Sequence, residues 1–278
     1  VTEWTAGGNL GTARSDLAGG GDSSNAICMG GSTGSNSNVT EEYNGSSWSA
    51  GGNLGTARSF LAGGGDSSNA ICMGGSTGSS SKVTEEYNGS SWSAGGNLGT
   101  ARSYLAGGGN SSNAICMGGY TGSNSNVTEE YNGSSWSAGG NLGTARAGPA
   151  GGGDSSNAIC MGGYTTNYSK VTEEYNGSSW SAGGNLGTAR SDLAGGGDSS
   201  DAICMGGDTS SSKSNVTEEY NGSSWSAGGN LGTARSYLAG GGNSSNAICM
   251  GGYTGSISNV TEEYIAETET VGGGAIWM

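Results

Sequence analysis

The chain repeats itself. Tryptophans that stand just ahead of Gly-Gly-Asn-Leu-Gly-Thr-Ala-Arg segments fall at Trp4, Trp48, Trp92, Trp136, Trp180 and Trp225 of 278 residues, spaced by 44 residues four times and then by 45. A period of that length signals like structural units that cannot bury their apolar faces alone and must pack on one another. The extra residue of the longer interval lies in the Ser-rich stretch between Gly207 and Val216. An insertion tolerated there marks a surface loop.

Within one unit, four short extended segments are separated by Gly, Ser and Asn clusters: residues 15–19, residues 26–30, residues 39–43 and a segment around Trp48. Each has the length of a strand, and none shows a helical period. Asn44-Gly45, between the third and fourth, is a two-residue hairpin signal, because both residues tolerate positive φ. The unit therefore reads as a four-stranded antiparallel meander. Six such units predict an all-β, six-bladed β-propeller in which both faces of every blade are covered by neighbours. The Leu-Ala-Gly-Gly-Gly of the first segment supplies the small residues needed where blades converge on the axis.

The ends point to a closed ring. The chain begins with Val1-Thr2-Glu3-Trp4, a fourth strand with no strands before it, and the last unit ends after its third strand at residues 260–264 without its own Trp. The strand around Trp4 is expected to complete the sixth blade and so remove the free sheet edge. This makes residues 1–264 one propeller domain and residues 265–278 a C-terminal tail. Repeated strands ending in a double glycine, as in Ala26-Ile27-Cys28-Met29-Gly30-Gly31, with Tyr43 and Trp48 following, resemble the kelch repeat. All six units carry the doubled glycine, and the Tyr-to-Trp hairpin is shorter than is usual in that family. The phrase Thr-Glu-Glu-Tyr-Asn-Gly-Ser-Ser-Trp is also similar to kelch-type repeats of bacteriophages and aquatic microbes. The resemblance implies the propeller fold and a binding role.

Charge narrows the function classes. Nine Lys and Arg against 23 Asp and Glu leave a net charge of −14, which repels a phosphate backbone, so no nucleic-acid partner is expected. No apolar run approaches the roughly 20 residues of a membrane-spanning helix, so no membrane insertion is expected. Histidine is absent, which removes the commonest general base and metal ligand. No cofactor and no metal site are expected, and the chain reads as a non-enzyme.

The repeated polar residues fit the same view. Cys28, Cys72, Cys116, Cys160, Cys204 and Cys249 occupy one strand position in successive units. In a six-fold ring, equivalent atoms are separated by their distance from the axis, about 10 Å for a second strand given the inter-strand spacing. That exceeds the Cα separation of about 7 Å a disulfide can bridge. Buried free thiols are therefore expected. Every Arg lies in Thr-Ala-Arg, at Arg14, Arg58, Arg102, Arg146, Arg190 and Arg235, and every unit carries a Glu pair such as Glu41-Glu42. A carboxylate pair is the equipment of glycoside hydrolysis. Adjacent strand residues face opposite ways, however, and sialidase-type Ser-x-Asp-x-Gly-x-Thr-Trp boxes are missing, so Arg with Glu41 and Glu42 reads as a set of structural ion pairs. Asp22 and its counterparts, replaced by Asn110 and Asn243 in two units, read as turn caps rather than calcium ligands.

Differences between the units carry the functional signal. One variable position holds Asp16, Phe60, Tyr104, Asp192 and Tyr237, with Ala147-Gly148-Pro149 in the fourth unit. A second variable stretch begins with Ser32, Ser76, Tyr120, Tyr164, Asp208 and Tyr253 and includes Tyr168 and Ile257. In an up-down meander both connections emerge on one face of the ring. Aromatic planes beside carboxylates and amides suit sugar rings or a protein surface. The expected function is a non-catalytic recognition or adhesion module, extracellular or on a virion surface, contacting a glycan or protein through that face. The alternative is a structural subunit of a fibre or homo-oligomer assembled through residues 265–278.

Overall fold

The computed structural model describes residues 3–265, which form six four-stranded antiparallel sheets arranged as a six-bladed β-propeller. No helix among these residues is long and apolar enough to cross a membrane. The first blade shows the plan: β2 (Ala18–Gly20), β3 (Ile27–Met29), β4 (Thr40–Tyr43) and β5 (Trp48–Ala50) follow one another from the axis outward. The inner strand is shorter than residues 15–19 because Asp16 has φ 56°, which breaks the extended backbone before Leu17.

Ring closure follows the sequence expectation. β1 (Glu3–Ala6) pairs antiparallel with β24 (Thr261–Ile265), the third strand of the last blade, with Trp4 opposite Tyr264. Their rings lie 4.9 Å apart, and Trp4 Nε1 donates to Thr217 Oγ1 of the preceding blade at 2.8 Å. Trp48 repeats the arrangement on Tyr43 at 4.9 Å and donates to Thr261 Oγ1 at 2.9 Å. The first strand thus fills a site built like every other outer strand. Of the tail, only Ile265 is described; residues 266–278, to which tail-mediated assembly was assigned, lie outside the described residues.

Alternation along each middle strand supplies the core. Ile27 and Met29 pack toward the next blade, against Leu54, Leu61, Cys72 and Tyr87, while Cys28 packs back on Ile248 and Met250 of the preceding one. Burial on both faces is the physical requirement for a blade between two neighbours, and it explains why this strand is apolar without interruption. At the axis, the inner strands meet backbone to backbone. A Cβ on Gly20 would lie 2.1 Å from the carbonyl oxygen of Gly65 in the next blade, so only glycine permits that approach.

One fully buried arginine organises each blade. Arg14 Nη1 donates to the carbonyls of Gly30 at 3.0 Å and Val39 at 2.6 Å, and Nη2 reaches Glu41 Oε1 at 2.9 Å and Cys28 Sγ at 2.9 Å. Glu41 spends its other oxygen on the backbone N–H of Gly11 at 2.6 Å. The same ion pair recurs at Arg58–Glu85, Arg102–Glu129, Arg146–Glu173, Arg190–Glu218 and Arg235–Glu262. The arginine also ties its blade to the one before it: Gly31, with φ 97°, donates its N–H to the carbonyl of Arg58 at 2.8 Å.

Glu42 corrects the sequence reading. It belongs to no ion pair among the described residues and instead accepts a short hydrogen bond from the Tyr87 hydroxyl of the next blade. Adjacent strand residues point to opposite faces, so only one glutamate of the pair can reach the arginine of its own blade. The cysteines are buried and unpaired, and burial pushes the Cys28 thiol up to about 11. They are therefore packing groups and not nucleophiles.

Two stability measurements check this scheme. In urea unfolding, Arg102→Ala should cost about 3–5 kcal/mol by stranding the buried Glu129, whereas Arg102→Met with Glu129→Leu should cost much less. A double variant as unstable as the single one would show that the uncompensated charge is not the cause. Trp4→Ala should cost about 2–3 kcal/mol, the lower end for losing an aromatic ring because Trp4 is only half-buried, and should expose the β24 edge to self-association on gel filtration.

Candidate functional site

Both variable stretches lie on one mouth of the ring, and backbone hydrogen bonds join them directly. Tyr120 N–H donates to the carbonyl of Ser103 at 2.7 Å, and Ser103 N–H returns a bond to Tyr120 at 3.1 Å. Ala147 and Tyr164, Ser191 and Asp208, and Ser236 and Tyr253 are bridged in the same manner. The residue after each first partner enters the left-handed region: Asp16, Phe60, Tyr104, Asp192 and Tyr237 have φ between 53° and 56°, and Gly148 has φ 60°.

Those six residues close a circle around the axis. The N–H of Phe60 donates to Asp16, Tyr104 to Phe60, Gly148 to Tyr104, Asp192 to Gly148, Tyr237 to Asp192 and Asp16 to Tyr237, all between 2.8 and 3.0 Å. The left-handed conformation costs a non-glycine residue about 1–2 kcal/mol, and a net backbone hydrogen bond returns about 1 kcal/mol. The hydrogen-bonded circle therefore offsets most of the strain. It leaves the side chains at the mouth. A strained backbone held by its surroundings is a common accompaniment of binding sites.

Three of these side chains converge over the axis. Phe60 stacks on Tyr104 with ring centres 4.0 Å apart and meets Tyr237 edge-on at 6.3 Å. Beneath them, a well of about 80 Å³ is bounded by a ring of leucines in which Pro149 takes one place. At the fourth position Gly148 has no side chain, and the mouth opens there into a depression of about 480 Å³. Its walls are Tyr104, Tyr120, Tyr164, Tyr168 and Tyr237, with Asp192 and Asp208 on one side. This volume is in the range of small-ligand sites.

Gly148 is what makes the room. A Cβ at that position would stand 2.5 Å from Asp192 Oδ1, so the aspartate leans over the space a side chain would fill. Ser191 donates to Asp192 Oδ2 at 2.8 Å. Burial, aided by the charges of Asp208 and Asp16 and opposed by the Ser191 bond, raises Asp192 to about 7. Burial raises Asp16 to about 6 against the hydrogen bond from Ser15. Tyr104 is pushed up to about 12 by burial and by the Asp16 and Asp192 charges, so its hydroxyl keeps its proton and remains a donor.

The sequence-predicted residues divide three ways. Tyr104, Tyr120, Tyr164, Tyr168, Asp192, Asp208 and Tyr237 share the depression; Asp16 and Phe60 line the smaller central well. Tyr253 lines neither, and its ring is covered by the Lys213 ammonium 4.9 Å from the centroid. Sequence reasoning did not single out Asn124, which also lines the depression and fastens the Tyr164 loop through bonds to the carbonyls of Tyr164 at 3.0 Å and Thr165 at 2.7 Å. Its signal was its register: Asn124 occupies the repeat position of Tyr168. The acidic turns lie apart from this site and cap themselves, with Ser24 N–H donating to Asp22 Oδ1 at 2.8 Å. Among the described residues, no group of three or more His, Cys, Asp or Glu is placed to hold a metal.

These features define a six-bladed β-propeller with one asymmetric depression beside its axis. The fold is shared with solved structures, among them that of YjhT, to which this chain is 14% identical with a TM-score of 0.78 over 96% of its length and 98% of that chain. At that identity the likeness concerns the fold alone. No family model and no curated protein matches the sequence.

The raised carboxyl of Asp192 gives a signed pH dependence. The folded state binds that proton more tightly than the unfolded chain between the ordinary carboxylate range and about pH 7, so this group's contribution to stability grows as pH falls through that window. Asp192→Asn should accordingly raise the urea midpoint at pH 8 and lose that advantage on acidification toward pH 4. A difference between variant and parent that stays constant with pH would refute the assignment.

Proposed function

We propose that the protein is a non-catalytic recognition module of the kelch-like type, displayed at a cell or virion surface, which holds a group of a glycan or protein partner in the depression beside Gly148. The observation that carries this reading is the concentration of difference. The six units are near-copies, yet their divergent side chains meet at one mouth, and the only glycine in the axial circle opens a tyrosine-walled cavity there. Tyr120 and Tyr164 are 42% and 43% exposed, a large amphipathic area held ready without partners that cover it.

The repeated glutamates bring no carboxylate pair into this cavity. Glu41 is committed to Arg14 and to backbone N–H groups, and Glu42 to Tyr87. Glu41 is thus spent within its own blade and Glu42 on joining that blade to the next.

The test is retention of the purified protein on a glycan microarray and on intact cells. Gly148→Tyr restores the type of residue found at this position in other units, in a backbone conformation that Tyr104 and Tyr237 already adopt. It should fill the depression and reduce retention at least about tenfold, as should Tyr164→Ala, consistent with an aromatic anchor at the centre of a small interface. Retention unchanged in both variants would exclude this face.

A further inference from the structure

Resting on that recognition reading, we infer that the group seated in the depression is an organic ammonium ion, either a quaternary ammonium or the free amine of an amino sugar. Five tyrosines and two aspartates line one cavity, and no lysine or arginine shares its wall. Aromatic faces attract cations through the ring quadrupole, and removal from water strengthens the effect. Tyr164 and Tyr168 set their rings at 83° to each other with centres 5.6 Å apart, two walls of a cage of the sort that encloses methylated ammonium groups.

The carboxylates add the charge that this ligand lacks a partner for. The Asp192 carboxylate has one hydrogen bond, from Ser191, and its Oδ1 overhangs Gly148 in the lining of the cavity. Asp208 lies close enough to act on the charge state of Asp192, Tyr168 and Tyr237. Two neighbouring carboxylates without a cation between them favour a ligand that brings one. The same rim shows the preference internally: Lys213, bridged to Asp208 within one loop, sets its ammonium over the Tyr253 ring of the next unit at 4.9 Å rather than between the two aspartates. An anionic sugar would meet like charge from both aspartates, and a neutral one, though its hydroxyls can donate to them, would bring no counter-charge.

Isothermal titration of the full chain at pH 8 separates these cases. Choline is paired with its neutral isostere 3,3-dimethylbutan-1-ol, and glucosamine with N-acetylglucosamine, in which acetylation removes the charge. Saturable binding of either cation, at least about tenfold tighter than its neutral counterpart, is expected. Asp208→Asn should weaken it about tenfold, and Gly148→Tyr should abolish it with an unchanged circular dichroism spectrum. Should Gly148→Tyr misfold, Tyr168→Ala serves instead, with the same expected loss.

Equal binding of the neutral isosteres, no saturable binding of either cation, or cation binding indifferent to the depression variants would each overturn the inference. If the cations fail while Gly148→Tyr still loses retention on glycans or cells, only the ligand class falls and the recognition face stands. If both fail, the face itself is wrong.

Discussion

Everything at the mouth depends on six joints of nearly equal geometry, and each joint is set by one buried guanidinium. Arg14 gathers two carbonyls, a thiol and a carboxylate of its own blade, while its own carbonyl accepts the N–H of Gly252 from the blade before. A planar cation with donors in a fixed fork can satisfy so many acceptors at once only in one orientation. The blade's first strand is thereby placed on its second and third strands, and the blade as a whole on its neighbour. Repetition of this arrangement is what lets six sheets return to their starting point.

Closure then turns local differences into a site. In an open stack, the residues after Ser15, Ser59 and Ser103 would sit side by side on an extended edge. In the ring they face one another across the axis, linked by a circle of backbone hydrogen bonds that tolerates tyrosine, phenylalanine or aspartate in a left-handed conformation. The scaffold is indifferent to which side chain occupies the position, so the position is free to vary. One glycine among six is enough to convert a closed aromatic cap into a cap with a cavity at its side.

Much of this was legible from residues alone. The spacing of the tryptophans, the Asn-Gly hairpins and the missing fourth strand of the last unit pointed to a closed six-bladed ring, because strand length and repeat period are local properties. Cysteine spacing excluded disulfides by simple geometry. The face carrying the variable residues followed from counting up and down strands. What escaped was finer. Glu41 and Glu42 were both assigned to arginine, and only three-dimensional placement shows that Tyr87 of the next blade reaches Glu42. Tyr253 and Tyr120 occupy the same repeat position, yet only Tyr120 lines the depression, because its unit adjoins that of Gly148 whereas Tyr253 stands two units further round the ring, under the Lys213 ammonium.

The amino-acid sequence by itself determined the number of blades, the strands within each and the way the ends meet, because period, turn chemistry and apolar alternation act over a few residues and need no knowledge of distant partners. The cavity was decided by tertiary structure. Its walls come from residues up to several repeats apart, and whether Gly148 leaves a void depends on where Asp192 and the surrounding tyrosines point once the ring has closed. A missing side chain becomes a site only when its neighbours, held by the same ring, fill no more than part of the space, as Asp192 does over Gly148.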